Sequence, residues 1–565
     1  MRGRELAEAR QNGIRAAYAQ MATGDRTSPW RRTSVPTAGG GRAEIDVLTA
    51  KPSVQLVWLQ MREAESVGGN APVSLHGLWD GKTARIPSLL TSGTPVRQPF
   101  TYDKAQVVAT IEGVLEHYRP TLVRTQDPTP GEGRTLDHQD HVYGARFVQA
   151  ALAGYAAHVP YGQRPHFTVH SYLGYQTSDF ASVLDPAEAL TKVGSLKTYA
   201  WVDRRDDCGS PAGCGDLHVA SRPTGNHWTD DIRDARGDGT SWTATGADGG
   251  TWAFAVLDGQ MAVWQGIGSG SAADGPHLLP GTGLDPGAEG ITLPDGRIAV
   301  LATRTVLGST AAGYHRELVY AQQQAPGSTQ FTPWRSLGAP DAGSPDAIFA
   351  FSAPAVTVDR TGALDVYVRA GDHTLRDRTL GADGAWTPWQ RLGGRGLAGD
   401  PVAATAADGT RYVFAPTATS VTAWVGHGPA GPLGAATATG LPATTLPLTA
   451  APDGDGVRLW FREPGTGDVL TTGVTTTAKG ISPSPPADLG GTGGYGPVSG
   501  FGGTVAGGSG TGHLAATPGP GGAWTRIPVP FTGGPAAFRT VSGPSVAVIG
   551  RDARLHVTGP AHTTR

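Results

Sequence analysis

The chain has 565 residues, too many for one ordinary core, so two or more domains are expected. With 45 Lys and Arg against 48 Asp and Glu the net charge is -3, which leaves no basic excess for nucleic acid or anionic lipid. Apolar runs fall short of the roughly 18 residues a membrane span needs. The 83 glycines and 44 prolines, most of them in the second half, suit short strands joined by tight turns.

Residues 4–22 read as a helix, with Leu6, Ala9, Ala17 and Met21 on one apolar face and Gly24 ending it. Strands are expected at Ala43–Leu48 and Val54–Leu59. A helix is predicted over 103–118: Val107, Ile111, Val114, Leu115 and Tyr118 recur at helical spacing, Asp103 can cap it and Pro120 closes it. A short strand at 121–125, a polar loop from Gln126 to Asp137, a helix at 138–158, a strand at 166–172 and a helix at 186–200 follow. Helices alternating with short strands predict an α/β layer with a largely parallel sheet, whose functional groups gather at the carboxyl ends of strands. Cys208 and Cys214 are the only cysteines and flank a Gly/Pro loop. They read as a small disulfide loop rather than two unrelated thiols or a metal site, which implies an oxidising compartment and a secreted protein. Met1-Arg-Gly-Arg-Glu-Leu-Ala-Glu-Ala-Arg10 lacks the pattern of a signal peptide and looks like the inside of a helix, so an incomplete N-terminus is expected.

Beyond about residue 240 the helical signal gives way to a turn-and-strand unit. Trp252, Ile298, Leu364, Tyr412, Val457, Val505 and Val546 anchor seven copies, with an insertion in the second interval. A strand-built unit of roughly 40–50 residues is the length of a four-stranded propeller blade. Phe331-Thr-Pro-Trp-Arg-Ser-Leu-Gly338 echoes Trp386-Thr-Pro-Trp-Gln-Arg-Leu-Gly393, with a fainter copy at Ala523-Trp524-Thr525. These tryptophans are expected to pack between sheets rather than to stack on ligand. The units resemble the repeats of tectonin-like and related lectin-like bacterial propellers.

Leu122-Val-Arg-Thr-Gln-Asp-Pro128 and Asp137-His-Gln-Asp-His141 carry the chemical signal. His138 and His141 are three apart at a helix start and so face one side, and the positive helix end keeps their rings neutral. Asp140 could cap the helix or orient a ring from behind, and Asp127 sits at the strand end where it could do the same. Taken alone, His-x-x-His is more often a solvated surface pair with Asp137 as a cap.

The succession of strand, Arg-Thr-Gln-Asp-Pro, loop, Asp-His-x-Asp-His-Val and Ala-rich helix resembles the second signature of the PIG-L (LmbE-like) zinc-dependent N-deacetylases. The likeness extends over residues 4–230, through Ala16-Ala-Tyr-Ala-Gln-Met21, Val54–Leu59, the Leu75–Leu78 region with Trp79, and Tyr102 onward. It implies a Rossmann-like α/β deacetylase domain over 1–235, lacking its first strands, while the repeated units predict an all-β propeller of roughly seven blades over 240–565. It further implies zinc as cofactor with His141 as ligand, His138 as the catalytic neighbour, and an N-acetylglucosamine-type sugar conjugate as substrate. The family's first signature, His-Pro-Asp-Asp, is missing from this sequence. It would supply the other zinc ligands and the general base, so the chain as written is expected to be an inactive deacetylase, cut short at its start by a misplaced start codon or a gene fragment. The alternative is a secreted glycan- or protein-binding propeller, with a glycan or cell-surface ligand and a vestigial deacetylase domain.

Overall fold

The structure is a computed structural model that describes residues 2–62, 72–129, 137–216, 219–220, 231–268, 273–308, 310–343, 350–359, 361–381, 383–428, 431–445, 447–478, 480–491, 493–540 and 543–559. Most of the expected loop between Gln126 and Asp137, including Leu136, lies outside them. The chain forms two compact units. One comprises Met1–Arg119, Leu136–Val159 and Pro186–Asp231, and the other Pro120–Thr135, Pro160–Asp185 and Ile232–Arg565.

The first unit opens with α1 (Arg2–Thr23). Its packing face differs from the expected one: Leu6 and Met21 are exposed, while Ala9, Ala16, Ala17 and Ala19 are buried. The reason is close approach. A Cβ at Gly13 would collide with the Tyr199 carbonyl of α5 (Pro186–Ala200), so the two helices meet through small residues. Next come β1 (Trp30–Pro36), β2 (Arg42–Leu48) and β3 (Gln55–Trp58), paired antiparallel in chain order. β2 turns Glu44 and Asp46 inward, where both are fully buried. Arg15 of α1 binds Glu44 at 3.0 Å and Asp46 at 2.6 Å, and the Trp58 indole N–H donates to Asp46 at 2.8 Å.

After α2 (Leu75–Trp79), β4 (Ile86–Pro87) and β5 (Thr101–Tyr102) comes α3 (Lys104–Tyr118). Asp103 caps it as expected, in a capping box closed by Gln106. Its buried face includes Val107 and Leu115, while the Tyr118 hydroxyl reaches out to Gln55. β6 (Leu122–Gln126), α4 (Gln139–His158) and β7 (Thr168–Tyr172) fall where the sequence places them.

The expected Rossmann-like α/β deacetylase domain is not what these elements build, and the chain as a whole is mostly β. The only two strands paired parallel among the described residues are β6 and β7, which belong to the second unit. The first unit's three-stranded sheet is an antiparallel meander. A parallel sheet buried on both faces demands near-continuous apolar strands. Arg42-Ala-Glu-Ile-Asp-Val-Leu48 instead carries two buried carboxylates, met by Arg15 of α1 and Arg32 of β1.

Cys208 and Cys214 are joined as expected, with Cα atoms 6.0 Å apart. The loop they close is short, so the chain-entropy gain is about 2 kcal/mol. Cys214→Ser is expected to lower the unfolding free energy of the first unit by about that amount, read by denaturant titration with and without reductant. Equal stability of the reduced and oxidised forms would refute this.

Among its described residues the second unit carries six antiparallel sheets in sequence: five spanning residues 243–278, 289–338, 355–393, 402–438 and 449–488, and a six-stranded one over 498–558. The first five are blades 1 to 5 below, and the last divides into blades 6 (498–530) and 7 (531–558). Thr525–Thr540 is one strand that closes blade 6 with its first half and opens blade 7 with its second. The strands alternate between two seams rather than between core and solvent. In blade 2, Ile298, Val300 and Ala302 pack toward blade 1, while Ala299 and Leu301 pack toward blade 3. Each of the remaining seams holds its own apolar cluster. The last joins Phe538 and Ile549 of blade 7 to Trp264 of blade 1, so the ring closes into a β-propeller. This explains why the anchor strands read as unbroken apolar runs.

The tryptophans hold neighbouring blades together. The indoles of Trp389, Trp424 and Trp524 donate to the carbonyls of Leu337, Leu392 and Leu489, the first two in the last strand of the preceding blade and the third just after it. Gly394 and Gly491 have positive φ, and a Cβ at either would strike the Trp424 or Trp524 ring at 2.9 Å. A glycine two residues beyond the acceptor leucine therefore lets the next blade's indole lie flat. Pro354, Pro401 and Pro497 stand immediately before the first strands of blades 3, 4 and 6, a position where the missing N–H costs no ladder bond.

Candidate functional site

The expected histidine pair lies in the first unit. His138 is the N-cap of α4, and its Nδ1 accepts the Asp140 N–H at 3.2 Å. His141 Nδ1 is bonded to Asp137 Oδ1 at 2.8 Å, and the same oxygen accepts the His138 N–H at 2.7 Å. The two rings lie 5.4 Å apart. Asp137 therefore orients His141, while Asp140 meets His138 through its main chain. One turn further along α4, Tyr143 stacks on His76 at 4.3 Å, and His76 Nε2 is paired with Asp80 at 2.8 Å. Asp127 belongs to the second unit, where its carboxylate accepts from Thr129 and from Arg236 at 3.2 Å. Among the described residues no three His, Cys, Asp or Glu side chains are placed to hold a metal ion. The described residues thus do not fit the three-ligand zinc site that the resemblance implies.

The second unit holds a polar cavity at the inner ends of its blades. A space of about 40 Å³ is lined by Leu173, Arg233, Asp234, Asp238, Asp400 and Tyr495. An adjoining space, also of about 40 Å³, shares Asp238 and Asp400 and adds Glu289. Three elements supply these groups: the segment before blade 1, the turns that enter the inner strands, and the stretch after β7. Arg233 donates to the carbonyls of Thr445 and Ala181, which fixes that segment over the inner strands. His170 of β7 meets Asp234 at 3.3 Å. Asp400 Oδ1 accepts the Ala353 N–H at 2.9 Å.

The acids of this region divide into two kinds. Burial opposes ionisation of Asp285, but Arg236 and Arg316 outweigh it and hold its carboxyl down at about 2. Burial likewise opposes ionised Asp234, but His170, the hydrogen bond from Asp238 and Arg124 hold it below the usual range. Asp238 is the reverse: burial, then repulsion from Asp234, push it well above the usual carboxylate range. Protonated Asp238 donates to Asp234, and its Oδ1 is buried with no hydrogen-bond partner among the described residues. Burial also pushes Glu289 well up, opposed only by a bond from Ser241, with Asp400 adding repulsion. Burial and Asp234 raise Tyr172 to about 12.

The sequence reading missed this cavity. Its one visible sign was Arg233-Asp-Ala-Arg-Gly-Asp238, four charges in six residues within a chain that is 16% charged. Glu289 and Asp400 come from blades far apart in sequence, and only ring closure brings them to the axis.

No protein-family model matches the chain, and no curated protein does. Neither comparison supports the resemblance to the PIG-L deacetylases. Solved β-propellers are similar in part. The BP39L lectin of Burkholderia pseudomallei aligns at 16% identity with a TM-score of 0.43, over 57% of this chain and 93% of that one. The six-bladed fungal lectin of Aleuria aurantia aligns at 16% identity and a TM-score of 0.30, over 48% and 89%. A leech intramolecular trans-sialidase aligns at 9% identity and a TM-score of 0.34, over 56% and 72%. Likeness of this extent assigns no ligand to this chain.

Proposed function

We propose that the protein is a glycan-binding β-propeller that works in an oxidising, extracellular setting. The observation that carries this reading is the axial cavity, where three carboxyl groups, Asp234, Asp238 and Asp400, stand beside the ring of Tyr495 and the apolar side chains of Leu173 and Val183. Carboxyl oxygens accept from sugar hydroxyls, and an aromatic or aliphatic wall suits the C–H face of a pyranose. A mostly preformed concave site with a few convergent polar groups is the usual form of a small-ligand site. The Cys208–Cys214 disulfide supports the compartment. No described helix is long and apolar enough to cross a membrane. In this reading Asp137, His138 and His141 serve to start α4 and hold its first turn.

The test is an array of immobilised glycans probed with the full chain. Retention of at least one glycan class is expected, with at least a tenfold loss of affinity in Asp234→Ala at unchanged unfolding midpoint. A folded protein that retains no glycan would overturn the proposal.

A further inference from the structure

We infer that a further space beside the axis receives the primary hydroxyl of a hexose, so that the glycan recognised presents an exocyclic hydroxymethyl group to Thr168 and His170. The inference rests on the glycan-binding reading and names the part of the sugar that is held.

This space has a volume of about 50 Å³ and shares Gly237 and Gly239 with the axial space beside Glu289. Thr168 and His170 of β7 both line it, and they are only 8% and 4% exposed. Two apart on one strand, they project from the same face. The ring of His170 has a defined direction. Its Nδ1 lies 3.3 Å from Asp234, which is not among the lining residues. Gly533 is among them, and a Cβ built on it would meet His170 Nε2 at 3.7 Å. Nε2 is therefore the nitrogen presented to the space. Neither Nε2 nor the Thr168 hydroxyl has a hydrogen-bond partner among the described residues. Folded proteins ordinarily satisfy such buried polar groups with a partner, a water or a ligand.

Charge, geometry and size select the group. No Asp, Glu, Lys or Arg is among the described lining residues, so a neutral group fits. Asp234 stays ionised against its burial, through His170 first among its neighbours. A carboxylate there keeps the imidazole proton on Nδ1, so Nε2 offers a lone pair while the Thr168 hydroxyl offers a proton. A single ligand hydroxyl can donate to the first and accept from the second. A secondary amide cannot do so from one wall, because its planar trans form points N–H and C=O in opposite directions. The other lining side chains, Trp242, Phe254, Ala288 and Ile549 among them, are apolar, and the Trp242 indole N–H is taken by the Gly534 carbonyl. They suit the carbon that bears the hydroxyl. At the roughly 10–15 Å³ that one water requires, about 50 Å³ takes a CH₂–OH and the carbon behind it, but not a sugar ring. In a hexopyranose only the primary hydroxyl stands clear of the ring by a carbon.

The experiment is calorimetric titration of the full chain with the methyl glycosides of glucose, galactose and mannose, and with the 6-deoxy counterpart of each. At least one hexoside should bind, and its 6-deoxy counterpart about tenfold more weakly or worse, because loss of the hydroxyl leaves both protein groups unpaired. Thr168→Val, similar in shape but without the hydroxyl, should cut that preference to about threefold or less by weakening the hexoside alone, with the unfolding midpoint retained. Thr168→Ser should keep the preference. Equal affinity within each pair would sink the hydroxymethyl while leaving glycan binding intact. A Thr168→Val variant that weakens both members of a pair alike would do the same, as would binding of none of the hexosides alongside retention of some other glycan on the array. No glycan bound at all would remove both readings.

Discussion

Arg462→Ala should be the most damaging single substitution in the propeller, lowering its unfolding free energy by about 4 kcal/mol or more. Arg462 is 1% exposed and has no carboxylate within ion-pair distance among the described residues, though Asp468 favours its charge from further off. It donates to four main-chain carbonyls instead: Gly496 at 3.1 Å, Gly467 at 2.7 Å, Gly491 at 3.2 Å and Gly508 at 2.8 Å. Gly467 lies on a turn within blade 5, Gly491 and Gly496 between blades 5 and 6, and Gly508 at the end of a blade 6 strand, so one side chain satisfies four acceptors from two neighbouring blades. Burial depresses its pKa to about 10, which leaves it charged throughout the physiological range. Glycine is required around it, because a Cβ at Gly494 or Gly507 would press on its nitrogens. Truncation leaves the carbonyls unsatisfied and opens a cavity. Arg462→Lys should recover only part, since one nitrogen cannot span four acceptors. Guanidinium titration of the full chain measures the loss. A shift below about 1 kcal/mol would show that water replaces the side chain, contrary to this account.

Arg236→Met should cost about 3–5 kcal/mol at neutral pH, because it strands two buried acids at once. Arg236 holds Asp127 at 3.2 Å and Asp285 at 3.3 Å, and Arg316 holds Asp285 from the other side at 2.8 Å. Asp285 is depressed to about 2 from an ordinary 3.8. A depressed carboxylate contributes stability that is present above its unfolded pKa and is lost as pH falls through the folded one. In the wild type that contribution, about 2 kcal/mol, should therefore vanish between about pH 4 and pH 2. Asp127 runs the other way: burial outweighs Arg236 and raises it, so it adds no acid-labile stability of that kind. In Arg236→Met the loss should begin at higher pH, since Asp285 keeps only Arg316. Pairing Arg236→Met with Asp285→Asn should restore part of the loss at pH 7. Unfolding curves at pH 7 and pH 4 decide the matter, and identical acid limbs in variant and wild type would contradict it.

What the sequence made legible follows from how local each determinant is. The α3 cap at Asp103, the helices at 138–158 and 186–200, the disulfide and the structural role of Trp389 and Trp524 all depend on neighbours within a few residues or on a repeated motif. The α1 face was misjudged because hydrophobicity points to Leu6 and Met21, whereas helix contact there is set by Gly13 and the alanines. The Rossmann-like expectation failed for a related reason. Alternating helices and strands say nothing about which strands pair, and the ionic network of Arg15, Glu44 and Asp46 suits a meander that no periodicity reveals. The Asp-His-Gln-Asp-His motif was visible, but its first turn is tied to Asp137 and α4 rather than gathered into a described metal centre. The axial acids were invisible because they converge from blades far apart along the chain.

The strand shared by blades 6 and 7 makes the ring mechanically uneven. Prising those two blades apart would tear one continuous strand in two. Blade 7 meets blade 1 with no strand pairing among the described residues, through the apolar cluster around Phe538 and Trp264, the Trp242 indole bond to Gly534 at 2.9 Å and the Thr251 hydroxyl bond to the Arg539 carbonyl at 3.5 Å. Thermal breathing of the circle is thereby steered away from the joined pair and to the other seams, that between blades 7 and 1 among them, which can part and reseal without breaking a backbone ladder.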